Sequence, residues 1–198
     1  MQTLPPPPAG TDELLTAPAR HAVPLRGRWL DALLAVVVAL VALAIRWPHL
    51  WTVPRFTDET LEVLHSLAIV RDGARPLTNY DSYYGALYNY LIAAALWLLG
   101  ESPLVPRLVI LCVGGLTIAA TFFLARELAV GESDRRVSRA AGALAALLLT
   151  TNGAHVVVSS HIAWSNCLTP LLTTLAFWSL LRVGSRISPL PTAYCLLP

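Results

Sequence analysis

The sequence has little charge and no lysine. Only 13% of its 198 residues are charged, well below the roughly 25% of an ordinary soluble domain. All 14 basic residues are arginine, and they are scattered near the ends of apolar segments. The mean hydropathy of +0.60 excludes a typical soluble protein, and the scattered arginines form no basic patch for nucleic acid. The sequence therefore predicts an integral membrane protein.

Cysteine is also scarce. Cys112, Cys167 and Cys195 lie far apart, with neither the spacing of a metal site nor that of a disulfide framework. We therefore predict no metal site and no cofactor, although a divalent metal ion is left open as an alternative.

The first 28 residues are rich in proline and contain too few apolar residues to form a core. We expect residues 1–28 to be a disordered tail on the cytoplasmic side. The apolar run that follows is longer than the roughly 7–15 residues of a signal-peptide core and has no small-residue cleavage site. It therefore predicts an uncleaved membrane anchor.

What the sequence has in abundance is long apolar runs. A helix that crosses a bilayer needs about 20 such residues. We predict an all-α, polytopic membrane helix bundle whose spans lie near residues 29–47, 104–124, 140–158 and 168–181. Trp29 and Trp47 bracket the first span, as tryptophans at the two membrane interfaces do.

A fifth apolar run, residues 83–99, affects the predicted topology. If it also spanned, the arginines of residues 126–139 would lie on the opposite side from those of the N-terminal tail, against the positive-inside tendency. Its tyrosine-rich start is typical of an interfacial helix. We therefore expect residues 83–99 to lie at the membrane surface, within an extracytoplasmic loop of residues 48–103.

The stretch "RFTDETLEVLHS" brings several ionisable groups together in that loop. Thr57 or Asp58 is a good helix N-cap, and Gly73 suits the position after a helix end. The pattern predicts a surface helix over residues 58–71. Helical spacing places Asp58, Glu62 and His65 on one face, with Glu59 one residue away from it.

Two interpretations of these acids are open. They are either the solvated face of a surface helix, capped by Asp58, or part of a site, because carboxylates near the hydrocarbon boundary are costly unless they line one. In the second interpretation Asp58 is a general base. It would activate a hydroxyl that attacks a sugar linked through phosphate to a polyprenol, through an oxocarbenium-like transition state.

Three other residues are candidates for substrate binding. Arg107, the charge inside the second span, would bind the leaving phosphate; the alternative is that it snorkels to the interface. His161 and Asn166 belong to the second outer loop, "SSHIAWSN", which is otherwise simply polar.

Taken together, "FTDE", "GALYNYLIAAALWLLGES…PRLV", "ARELA" and "SSHIAWSN" resemble the N-terminal part of the GT-C glycosyltransferases related to protein O-mannosyltransferases and aminoarabinose transferases. The resemblance covers residues 29–182. It implies a polytopic enzyme with two juxtamembrane helices in the first outer loop and a polyprenyl-phosphate sugar as donor. It also implies Asp58 as the base acting on the acceptor, Glu59 as its neighbour in positioning, and Arg107 as the basic residue at the outer end of the second span.

The sequence departs from that family in two ways. Relatives commonly have an arginine and an acid where this chain has His161 and Asn166, so metal binding through that loop is in doubt. Relatives also have many more spanning helices, and residues 183–198 predict an irregular tail, as in a truncated product.

We therefore expect a glycosyltransferase fragment, transferring a hexose or pentose, in the bacterial cytoplasmic membrane with its site facing outside. The alternative is an inactive truncated relative or a non-enzymatic membrane subunit, in which Asp58 and Arg107 are interfacial anchors. A transporter is disfavoured, because the sequence has no repeat.

Overall fold

The computed structural model describes residues 25–51, 57–80, 84–129, 135–158 and 163–187. These residues are helical apart from short connections. They contain an isolated β-bridge between Thr78 and Gly85, and no strand. The predicted tail residues 1–24 and 188–198 lie outside the described residues.

The described part of the chain forms seven α-helices. They are α1 (Leu25–Arg46), α2 (Thr57–Asp72), α3 (Leu87–Leu99), α4 (Val105–Leu128), α5 (Arg135–Thr151), α6 (Gly153–Val158) and α7 (Leu168–Ile187). Short 3-10 helices follow α1 at Trp47–His49 and precede α7 at Ser165–Cys167.

Three segments in the described ranges are long and apolar enough to cross a membrane: Trp29–Arg46, Val105–Leu128 and Ser165–Gly184. The first two cover the predicted spans 29–47 and 104–124 except for one residue at an end of each, and the third contains the predicted span 168–181. The prediction of an all-α chain with long membrane-type helices is therefore confirmed for the described part, and the orientation of these helices in a membrane stays a prediction.

The structure differs from the predicted span 140–158. The helix there begins earlier, at Arg135, and stops at Thr151, and a separate short helix, α6, follows a break at Asn152. The Asn152 side-chain oxygen accepts a hydrogen bond from the backbone N–H of His155 (3.0 Å), so it caps α6 instead of continuing α5. The first turns of α5 also carry three arginines, which shorten its apolar part.

Smaller corrections concern the ends of other elements. Helix α1 begins at Leu25, inside the predicted tail 1–28, and α7 continues to Ile187, inside the predicted irregular tail 183–198. The predicted helix 58–71 agrees with α2 to within one residue at each end, and Gly73 after it has a φ of +65°, as expected beyond a helix end. Helix α3 starts at Leu87, four residues after the predicted start of 83–99.

Polar contacts at two ends of the bundle fix the directions of α1, α4 and α5. Near the start of α1, Asp31 pairs with Arg126 at the end of α4 (3.2 Å) and with Arg139 at the start of α5 (2.5 Å). At the other end, Arg46 of α1 donates to the Thr150 carbonyl of α5 (3.1 Å). Helices α1 and α5 therefore run in the same direction and α4 runs opposite to them. We call the two ends the Asp31 end and the Arg46 end.

Small residues line the contact between these helices. The core of α1, α4 and α5 includes Ala35, Ala42 and Ala146 packed around Ile118 and Phe122. Small side chains let helix backbones approach closely, which is how helices associate within membranes. Helix α7 lies along α4, with Trp178 stacked on Phe123 at a ring distance of 5.4 Å.

Helices α2 and α3 form a unit at the Arg46 end. They run side by side in the same direction, since Glu62 contacts Asn89 near their starts and Arg71 contacts Glu101 near their ends. Buried apolar residues of α3 and α4, with Cys167 and Leu168 before and at the start of α7, hold this unit on the bundle. The chain leaves α1 and enters α4 at the same end, as expected if residues 83–99 do not span.

Candidate functional site

A buried ion pair joins α2 to α4 at the Arg46 end. Arg107 donates from Nε to Oε1 of Glu59 (2.9 Å) and from Nη2 to Oε2 (3.0 Å), and its Nη1 donates to the carbonyl of Leu50. Each side chain is at most 4% exposed. The bidentate geometry and the extra carbonyl satisfy both charges, which is the condition for a buried pair to be tolerated. The pair fixes the starts of α2 and α4 against the end of α1.

Asp58 is the residue before Glu59, in the first turn of α2, where a helix favours negative charge. Its side chain is half-buried. No hydrogen bond or ion pair holds its carboxylate within the ranges that the structure describes. Asp58 therefore keeps a free carboxylate on a helix start whose position is set by Glu59.

One turn further along α2, Glu62 is completely buried. Its carboxylate accepts hydrogen bonds from the side-chain amides of Asn89 (2.6 Å) and Asn79 (3.3 Å), and Asn89 also donates to the Glu62 carbonyl (3.2 Å). This network ties α2 to α3 and to the connection between them. The interpretation of the acids as a solvated face is therefore wrong for Glu59 and Glu62.

Tyr88 lies beside this network and is also buried. Burial raises its pKa well above the usual value, and the nearby Cys167 and the Glu62 carboxylate act in the same direction. The phenol therefore stays protonated, and its hydroxyl has no hydrogen-bond partner among the residues that the structure describes.

A second buried cation, which sequence reasoning missed, lies at the same end. Arg46 is 1% exposed and its Nη2 contacts the Thr150 carbonyl and Nδ1 of His155 (3.2 Å). Burial, and then the charge of Arg46, lower the pKa of His155 to about 4. The sequence gives little indication that Arg46 is buried, because an arginine at the end of an apolar run usually snorkels to the interface.

The structure places the three predicted substrate-binding residues in different surroundings. Arg107 lies at the same end as Asp58, but its guanidinium is engaged by Glu59 and Leu50. Asn166 lies in the 3-10 helix before α7, half-buried, with no hydrogen bond joining it to the Glu59–Arg107 pair. His161 lies outside the described residues.

An apolar groove of about 270 Å³ runs along α2 towards the corner between α3 and α4. Glu59 lies at one end of the groove, and the exposed ion pair of Arg71 and Glu101 lies at the other. Side chains such as Val63, Leu67 and Leu96 line the wall between them. The described residues contain no group of three or more His, Cys, Asp or Glu that could hold a metal ion.

Comparisons with protein-family models, with curated proteins and with solved structures found no match.

Proposed function

We propose that the chain is a membrane glycosyltransferase polypeptide of the GT-C type, which transfers a sugar from a polyprenyl-phosphate donor to an extracytoplasmic acceptor. Asp58 is its general base. The base takes a proton from the acceptor hydroxyl as the oxygen bonds to the anomeric carbon, and the bond from that carbon to the phosphate oxygen breaks. The polyprenyl phosphate leaves with the bonding electrons.

The main support for this proposal is the position of Asp58 next to Glu59, whose side chain is held by an ion pair with Arg107. The Glu59–Arg107 pair fixes the start of α2, while the Asp58 carboxylate itself has no described partner. A catalytic carboxylate needs both properties, because it has to be held in place and still be able to accept a proton. Glu59 is then a positioning residue.

The groove along α2 supports a lipid-linked donor. It is mostly apolar and begins at Glu59, adjacent to Asp58. A polyprenyl chain in this groove would bring the attached sugar phosphate to the start of α2. The phosphate-binding role predicted for Arg107 would require the phosphate to compete with Glu59.

The orientation of the helix bundle across the membrane is proposed from the distribution of its arginines. The Asp31 end carries Arg126 and Arg139, together with the arginines at the start of α5. By the positive-inside tendency this end faces the cytoplasm, so the Arg46 end and Asp58 face outside. The membrane is the bacterial cytoplasmic membrane.

The test is sugar transfer by the Asp58→Asn variant in isolated membranes, with polyprenyl-phosphate-linked mannose and aminoarabinose as donors. We expect transfer to fall by at least about 100-fold, the lower range for loss of a general base. The control is Asp72→Asn, an exposed acid at the other end of the same helix. Equal transfer by Asp58→Asn and the wild type, at equal amounts of inserted protein, would exclude Asp58 as the base.

A second candidate is a non-enzymatic membrane subunit. The observation in its favour is that Arg107 is fully engaged in a structural contact with Glu59 and Leu50. In that case Asp58→Asn changes nothing, while loss of Arg107 disrupts assembly of α2 on α4.

A further inference from the structure

Arg46 and His155 leave polar hydrogens without acceptors at the Arg46 end. Arg46 is 1% exposed and His155 is 7% exposed. The Arg46 Nη2 group donates to the Thr150 carbonyl (3.1 Å) and to Nδ1 of His155 (3.2 Å). Within the described ranges of the chain, the Nε and Nη1 groups of Arg46 and the Nε2 atom of His155 have no hydrogen-bond partner.

The contact between Arg46 and His155 determines which ring nitrogen of His155 carries the proton. A guanidinium has no acceptor, so Nδ1 of His155 has to accept, and the ring proton is on Nε2. The pKa of about 4 keeps the ring neutral near pH 7. Arg46 and His155 therefore present three buried donor nitrogens that lack an acceptor among the described residues.

The charge of Arg46 is also unbalanced. Its two acceptors are a backbone carbonyl and a neutral imidazole, and it forms no ion pair with the residues that the structure describes. By contrast, the charge of Arg107, which contacts the carbonyl of Leu50 one turn after Arg46, is balanced by Glu59. A buried cation without a counter-ion is costly, and so is a buried donor without an acceptor.

We propose that Arg46 and His155 form a binding site for a phosphate group. A phosphate supplies the missing negative charge and several acceptor oxygens, and arginine matches phosphate geometry better than other side chains do. The phosphate is either a free monoester or the head group of a phosphorylated lipid. These three nitrogens are buried, so a phosphate reaches them only if the residues around them move, among them the six-residue helix α6 that carries His155.

This inference concerns binding alone and stands even if no sugar is transferred. Under the proposed function, Arg46 and His155 bind the donor's phosphate instead of Arg107. The test for phosphate therefore uses no sugar donor, and its failure is separate from failure of Asp58 as the base.

The experiment measures the thermal unfolding midpoint, Tm, of the full chain in neutral detergent micelles. Inorganic phosphate and farnesyl phosphate are titrated, with farnesol as the uncharged control. We expect a saturable rise in Tm with the phosphate compounds that exceeds any rise with farnesol, whose chain can enter the groove along α2 but which lacks the phosphate. A response to both compounds shows that the phosphate group is sufficient, and a response to farnesyl phosphate alone identifies a lipid head group as the source.

Two variants connect the response to the site. Arg46→Gln should abolish it, and His155→Phe, which removes the Nε2 donor, should raise the apparent Kd about tenfold. Arg135→Gln, at an exposed arginine at the start of α5 and therefore at the opposite end of the bundle, is the matched control and should respond like the wild type.

The proposal is overturned if the wild type responds to neither phosphate compound, or if Arg46→Gln responds as strongly as the wild type. If Arg46→Gln does not fold, His155→Phe decides the question, because an unchanged Kd in that variant rules out the site.

Discussion

The pairing of Glu59 with Arg107 is the residue-scale contact on which the arrangement of the Arg46 end depends. Its partners are 48 positions apart in the sequence. Sequence reasoning placed both residues at one membrane face, because Glu59 follows the first predicted span and Arg107 begins the second. It did not pair them, since neither residue has a local pattern that indicates a partner so distant in the chain.

Breaking this pair should be strongly destabilising. Glu59→Gln leaves the Arg107 charge buried without its counter-ion, and we expect a loss of about 3–5 kcal/mol of unfolding free energy. The double variant Glu59→Leu, Arg107→Met removes both charges and should recover most of that loss. The measurement is unfolding in mixed micelles by denaturant titration.

The control is Arg71→Gln, at an exposed ion pair where little change in stability is expected. A double variant as unstable as Glu59→Gln would show that the pair itself, and not the stranded charge, stabilises this end.

His155 makes stability depend on pH. Its pKa is about 4 in the folded chain and near 6.5 in the unfolded one, so the unfolded state binds more protons between these values. Stability is therefore complete above about pH 6.5 and falls as the pH is lowered towards 4. Tm between pH 7 and 4.5 measures this. His155→Gln, which does not titrate, should lose less Tm over that range, and an equal loss would exclude His155 as the source.

At the scale of elements, helix positions followed from the apolar pattern, and the differences arose at helix ends. The acids and the glycine after α2 fixed its bounds within one residue, because caps and glycines are local signals. The break at Asn152 was not predicted, because the apolar residues continue on both sides of it and hide the capping side chain. The contact of α2 with α3 through Glu62 and Asn89 is a tertiary feature that periodicity does not report.

The packing of α4 against α5 depends on one glycine. A Cβ added at Gly142 would lie 2.8 Å from the Phe122 carbonyl oxygen, which is backbone and cannot give way like a flexible side chain. Gly142→Ala should therefore cost about 1–3 kcal/mol in unfolding free energy by overpacking. Gly184→Ala in α7, where nothing lies within 4 Å, is the control and should be neutral or slightly stabilising. Equal Tm values for the two variants would contradict the close approach of α4 and α5.

At the scale of the whole molecule, the buried and half-buried charged groups of the bundle gather at its two ends. At one end Asp31 forms ion pairs with Arg126 and Arg139. The other end contains Arg46, the Glu59–Arg107 pair and the α2–α3 unit. The sequence predicted this separation from the distribution of arginines. The proposed site requires it, because Asp58 has to face the side on which the acceptor lies.

The most direct test of the account is the location of these two ends across the membrane. In a variant without native cysteines, a single cysteine replaces either exposed Asp72 of α2 or exposed Arg135 at the start of α5. Intact cells are then treated with a membrane-impermeant thiol reagent. We predict labelling at position 72 in intact cells and labelling at position 135 only after the membrane is opened. Labelling of both positions, or of position 135 alone, in intact cells would contradict the proposed orientation and with it a site at Asp58 that faces outside.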